Sequence, residues 1–242
     1  MKEVAKVIKN SSSVIVLTGA GISTESGIPD FRSKNGLWSR YDIEEYGYIH
    51  NLTENPGKVW RMFADMIKNF GKAEPNRAHY ALAELEKMGI VRAIITQNVD
   101  SLHTRAGSRN VIEIHGNMRN LYCMACGRKY EYTDINLDIL PPGCICGGVI
   151  RPNVILFGEE LPRDAILKAY FYAERSDVII VAGTSCAVYP AAEIPLIVKR
   201  KGGKIVEINK EETEITHLAD YSLRGKLGDI LPKLVEEIKN LL

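Results

Sequence analysis

Residues 14–23 read Val14-Ile15-Val16-Leu17-Thr18-Gly19-Ala20-Gly21-Ile22-Ser23. A strand-like apolar run leads directly into a Gly-x-Gly turn. The run does not alternate, so both faces of the strand are expected to be covered, as in a parallel sheet. Comparable runs recur at Val91–Thr96, Val111–Ile114, Asp177–Ala182 and Lys204–Ile208. Helical patterns lie around them: Lys2–Asn10, Pro56–Asn69, Asn76–Lys87, Arg163–Arg175, Ala191–Lys201 and about Leu227–Leu242. This alternation predicts an α/β fold with a doubly wound, Rossmann-like parallel sheet.

Two stretches break the rhythm. Ser26–Thr53 is rich in Gly, Tyr and charge and reads as a mobile loop or short helical excursion. Arg119–Ile150 carries four cysteines and a Pro141-Pro142-Gly143 turn, which marks a small inserted module. The expected division is a Rossmann-like domain from residues 1–30, 75–118 and 151–242, with a smaller helical and zinc-binding domain from 31–74 and 119–150.

The chain has 242 residues, 45% of them hydrophobic and 25% charged, which excludes disordered and fibrous classes. Thirty-one Lys and Arg against 30 Asp and Glu leave +1, so no charge field favours direct nucleic-acid binding. No apolar run approaches the ~18 residues of a membrane span. Met1–Ser13 lacks the apolar stretch of a signal peptide, and a cytoplasmic location is expected.

Four of the five cysteines fall within 24 residues, as Cys123-x2-Cys126, a 17-residue gap, and Cys144-x-Cys146. This is close to a four-cysteine zinc pattern, with the second pair one residue short. Four thiolates close the coordination shell, so the ion would be structural. Cys186 reads as a small buried residue.

In an open α/β sheet, ligands bind beyond the carboxyl ends of the strands. Here those ends carry Gly19-Ala20-Gly21, Gln97-Asn98-Val99-Asp100, His115-Gly116, Gly183-Thr184-Ser185 and Asn209. The Gly19-x-Gly21 turn lets backbone N–H groups approach a pyrophosphate. The third glycine of a dehydrogenase fingerprint is replaced by Thr24, and no acidic residue follows at the expected ribose position. His115 has the position and the chemistry of a general base. Asp30 and Asp100 are candidates by position.

Together these pieces resemble the sirtuins, the NAD-dependent protein lysine deacylases. The matching motifs are Gly19–Ser23, Gly27–Arg32, Gln97–Asp100, His115-Gly116, the cysteine module, Phe157-Gly158-Glu159, Gly183–Ser185 and Asn209, in the family's order. The resemblance implies that Gly19, Ala20, Gly21, Ser185 and Asn209 hold the adenosine and phosphates of NAD, with Gly183, Thr184 and Leu227 also against the cofactor. Asp30 would touch it, and Phe31 and Arg32 would sit on a mobile loop above it. Ile28 and Asp100 would receive the nicotinamide, and Gln97 and Asn98 its ribose. His115 would be the catalytic base, with Asn98 beside it. Cys123, Cys126, Cys144 and Cys146 would bind structural Zn2+. Ile155, Phe157 and Gly158 would pair with an acylated-lysine peptide as an added strand.

Family members that remove succinyl or malonyl groups carry Tyr and Arg, three apart, in the helix after the cofactor loop. Phe63 and Met66 occupy those positions here. A buried carboxylate would go unpaired, which predicts acetyl or a longer apolar acyl group as substrate. The alternatives are a mono-ADP-ribosyltransferase and a catalytically silent NAD-binding module. The chain resembles a compact family member with little beyond the catalytic core, and a monomer is expected.

Overall fold

In the computed structural model, which describes residues 1–242, every residue of Val14–Thr18 is 0% exposed, as an unbroken apolar strand requires. Nine strands follow in chain order: β1 Val14–Thr18, β2 Val91–Thr96, β3 Val111–Glu113, β4 Gly116–Cys123, β5 Lys129–Glu131, β6 Ile150–Val154, β7 Val178–Ala182, β8 Lys204–Asn209 and β9 Tyr221–Arg224. The helices are α1 Lys2–Lys9, α2 Ile43–Tyr46, α3 Ile49–Glu54, α4 Pro56–Lys72, α5 Arg77–Lys87, α6 Leu102–Arg105, α7 Arg163–Ala173, α8 Glu193–Arg200 and α9 Leu227–Lys239.

Six strands form a parallel sheet in the order β3-β2-β1-β7-β8-β9. The two-residue period of a strand divides β1 between two cores. Val14 and Val16 join Val4, Ile8, Leu82, Leu85, Leu231 and Leu234 under α1, α5 and α9. Ile15 and Leu17 join Ala169, Ala173, Ile194 and Val198 under α7 and α8. Each aliphatic side chain buried in this way stabilises the sheet by about 1.5–3 kcal/mol. Helix starts are marked by local chemistry: Asn55 accepts from the Lys58 N–H ahead of Pro56, and Asn76 accepts from the Ala78 N–H.

β4, β5 and β6 form a separate antiparallel sheet in the order β5-β4-β6. Its apolar face packs on α3 and α4, where Leu52, Trp60, Phe63 and Ile67 meet Leu121, Cys123, Cys144 and Ile150. The Trp60 indole N–H donates to the Ile150 carbonyl at 2.8 Å.

Periodicity did not announce two features. β9 alternates half-buried and exposed residues at the sheet's edge, so it lacks the apolar run of its neighbours. The antiparallel sheet brings β4 onto β6 across the whole cysteine module, and β4 begins at Gly116, directly after His115. Within 26–53, the excursion comprises short turns of helix, including α2 and most of α3. No helix is long and apolar enough to cross a membrane.

Candidate active site

The strand order reverses direction between β1 and β7, and the loops leaving these two strands lie in contact. The Gly21 N–H donates to the Gly183 carbonyl at 2.8 Å. A Cβ at Gly21 would lie 2.7 Å from that carbonyl oxygen, and Gly183 has φ +63°. Both positions therefore exclude side chains, which leaves backbone lining the crevice. A cleft of 1210 Å³ opens there. That exceeds the ~300–1,000 Å³ of ordinary small-ligand pockets and suits an extended ligand plus a second reactant.

Gly19, Ala20, Gly21, Asp30, Phe31, Arg32, Gly183, Thr184, Ser185, Asn209 and Leu227 all line this cleft. So do Gln97, Asn98 and His115, and toward the antiparallel sheet Phe63, Met66, Ile155, Phe157 and Gly158. Two expected residues lie beneath its wall. Ile28 is 7% exposed and packs with Ala73 and Leu102. Asp100 is 8% exposed; it accepts from the Ser23 hydroxyl at 2.7 Å and from the Leu102 N–H at 2.9 Å. Burial pushes the Asp100 carboxyl above its ordinary value, against the Ser23 bond.

Hydrogen bonds orient the groups at the strand ends. The Asn98 amide nitrogen donates to the Gly19 carbonyl and to Ser23 Oγ, both at 3.1 Å. With the nitrogen so engaged, Oδ1 is the end of the amide left to accept from a ligand. Gln97 Nε2 donates to Thr184 Oγ1 at 2.8 Å, and Asn209 Nδ2 donates to the Thr184 carbonyl at 3.4 Å. Asp30 Oδ1 accepts from the N–H groups of Arg32 and Ser33, shaping the turn that carries Phe31. Arg32 reaches across to Ser185 Oγ at 3.5 Å.

His115 Nδ1 lies 3.1 Å from the Gln97 carbonyl. A carbonyl only accepts, so this nitrogen carries the proton and Nε2 of the neutral ring is a free base. Burial draws its pKa below the ordinary 6.5, opposed by the bond to Gln97. The ring is therefore ready to accept a proton at neutral pH.

The sulfurs of Cys123, Cys126, Cys144 and Cys146 all lie within 4.8 Å of one another. Two pairs are separated by 3.5 Å and 3.7 Å. A tetrahedral zinc with ~2.3 Å bonds to sulfur requires about 3.8 Å between sulfurs, so the donor set fits the ion. The short Cys144-x-Cys146 spacing closes because the chain passes very near the sulfurs. A Cβ at Gly148 would lie 2.8 Å from Cys123 Sγ. The Cys146 N–H and the Tyr130 hydroxyl draw the Cys144 thiol toward the thiolate, while the neighbouring sulfurs push the Cys146 thiol up.

Some cleft residues were not expected. Trp38, Val188–Pro190 and Lys210–Thr213 all line it, and Ser23 holds Asn98 from behind. Ser23 lies inside the Gly19–Ser23 motif, so a signal for it was present. The others sit in loops with no local mark.

A parallel sheet with a glycine cradle at its switch point, a free imidazole in the adjoining cleft and a four-thiolate knot define a dinucleotide-using α/β protein with a structural metal site. The Sir2 family model matches residues 19–190, and the chain belongs to the Sir2 family. It is 48% identical over 242 residues to the NAD-dependent protein deacylase 1 of Archaeoglobus fulgidus, covering 100% of this chain and 99% of that one. Among solved structures it is similar to a Sir2 homologue–NAD complex, with TM-score 0.94, 48% identity and coverage of 100% of this chain and 94% of that chain. It is also similar to a Sir2 variant with deacetylated p53 peptide and 3'-O-acetyl ADP ribose, with TM-score 0.94, 41% identity and 98% coverage of both chains.

Proposed function

We propose that this chain is an NAD-dependent protein lysine deacylase. One observation carries the reading. His115, with Nδ1 committed to Gln97, presents a free ring nitrogen in the same cleft as the Gly19–Gly21 cradle. Dinucleotide binding alone has no use for a base at that point.

Bound NAD would supply the ribose carbon that releases nicotinamide and accepts the acyl oxygen, and with one water consumed the products would be free lysine, nicotinamide and O-acyl-ADP-ribose. The backbone of Gly19–Gly21 and Gly183–Ser185, with Asn209 and Leu227, binds the adenosine and phosphates. Asp30, Phe31 and Arg32 cover the cofactor and exclude water. Gln97 and Asn98 hold the nicotinamide ribose, with Asn98 Oδ1 as acceptor. Ile28 and Asp100, at the base of the cleft wall, receive the nicotinamide. His115 takes a proton from a ribose hydroxyl through Nε2.

The acylated peptide adds as a strand beside residues 155–158. Phe157 spends its own N–H and carbonyl on Gly47 and Ile49. The carbonyls of Ile155 and Gly158 and the Gly158 N–H have no partner within the chain, and these are the groups that a peptide meets. The protein acts as a monomer in the cytoplasm, where its free cysteines remain reduced.

Phe63 and Met66, 1% and 8% exposed, line the acyl end of the cleft without a cation. An acyl carboxylate there costs several kcal/mol. The test is mass spectrometry of acetyl- and succinyl-lysine peptides with and without NAD. Expected are NAD-dependent loss of acetyl, an O-acetyl-ADP-ribose product, and succinyl turnover lower by roughly 100-fold or more. ADP-ribose attached to protein, with acetyl retained, would instead identify a transferase. Comparable turnover of the two peptides would contradict the acyl assignment.

A further inference from the structure

Arg151 is the only buried Lys or Arg in the chain, at 2% exposure. It lies in β6, outside the groups assigned to the chemistry. Its guanidinium grips Glu159 with two bonds: NH1 donates to Oε1 at 2.7 Å and NH2 to Oε2 at 2.8 Å. NH2 also donates to the Val154 carbonyl at 2.6 Å, and Nε to the Pro152 carbonyl at 3.3 Å. Glu159 Oε2 accepts a further bond, from the Leu156 N–H at 2.8 Å. One ion pair thus closes residues 151–159 into a clasp whose bonds end on backbone on both sides of Ile155.

Desolvation makes a buried ion pair a poor source of net stability. Its planar, two-pronged geometry is well suited to fixing one backbone conformation. The backbone held here carries the unpaired groups of Ile155 and Gly158. The Ile155 N–H also donates to the His115 carbonyl at 3.1 Å, which ties the clasped segment to the residue bearing the base.

We propose that Arg151 and Glu159 are positioning residues that hold the open backbone groups of Ile155 and Gly158 in register for the acylated peptide. The proposal rests on the strand-addition reading above. The fork sets the spacing of those groups before the peptide arrives, so binding need not order the segment. A misplacement of about 1 Å in such a segment can cost up to ~100-fold.

The test compares Glu159→Gln, Glu159→Asp and Arg151→Lys with the unsubstituted chain, measuring KM for an acetyl-lysine peptide, KM for NAD, kcat and thermal unfolding. Glu159→Gln replaces one carboxylate oxygen with a donor facing the guanidinium. It is expected to raise peptide KM about tenfold, with NAD KM and kcat within about twofold. Glu159→Asp, which keeps the charge, should fall between. The double substitution Arg151→Lys with Glu159→Gln should be little worse than either single one, because each already breaks the same fork. If Arg151→Lys fails to fold, the two Glu159 variants decide, since that side chain is 20% exposed and more tolerant. An unchanged peptide KM in Glu159→Gln, or parallel losses in NAD KM and kcat, overturns the proposal. Absence of NAD-dependent deacylation in the unsubstituted chain overturns the function and this proposal together. Turnover by that chain with no shift in the Glu159 variants overturns the positioning role alone.

Discussion

His115→Ala is expected to lower turnover of an acetyl-lysine peptide by roughly 10²–10⁴-fold, the range for losing a general base, while leaving NAD affinity within a few-fold. The imidazole makes one bond within the chain, to the Gln97 carbonyl. Its removal therefore leaves the bonds that orient Asn98, Gln97 and the glycine cradle intact. The pH profile supplies an independent check. The base works when neutral, so activity should fall as the pH drops through its pKa. Burial places that pKa below the ordinary 6.5. The acid limb should accordingly lie under 6.5 and vanish from whatever residual activity His115→Ala retains. Steady-state kinetics across pH, with NAD binding by calorimetry, would decide the matter; undiminished turnover in the variant would remove His115 from the mechanism.

Stripping the metal is expected to have an equally large effect through a different route. β4 starts beside His115 and ends at Cys123. A bulge between Asn117 and Leu121 shortens it, so its ends stand opposite Val154 and Ile150, about 13 Å apart along β6, and an ion at the cysteines is still too far away to touch the reacting atoms. The effect is structural. Cys123 and Cys144 belong to the same apolar cluster as Phe63, Met66 and Leu156, which border the cleft. Structural zinc in small modules contributes about 10–16 kcal/mol of folding free energy, far more than this sheet can replace. Prolonged chelation, or Cys126→Ser, should reduce zinc from one ion per chain to none and abolish deacylation. The six-stranded sheet, which has its own two cores, should retain its helical and strand signal by circular dichroism. Full activity from metal-free protein would show that the thiolate knot does not support the cleft.

The parts legible in the sequence are those written in local chemistry. Val14–Thr18 and its relatives read as buried parallel strands because each carries an unbroken or nearly unbroken apolar run, and all except the edge strand β9 were visible in this way. The Gly19–Gly21 turn and the four cysteines were visible because tight backbone approach and soft-metal ligation each restrict the residue types allowed. Ser26–Thr53 showed only that it was irregular, since its short helices lack a sustained apolar period.

Tertiary structure alone decided which distant groups meet. The pairing of Gly116–Cys123 with Ile150–Val154, the seating of Phe157 against Gly47 and Ile49, and the depth of Ile28 and Asp100 under the cleft wall leave no local periodicity to detect. Arg151 makes the point most directly: in a linear chain it resembles any surface arginine, and its burial is tolerated only when Glu159 and the carbonyls of Pro152 and Val154 converge on it. Sequence by itself marked the parallel strands, the glycine turn after the first of them and the cysteine cluster, because each is written in residue types that sit close together in the chain. Folding decided the inner wall of the cleft and the peptide edge, because a polar group's cost of burial depends on partners that only the three-dimensional structure brings within reach.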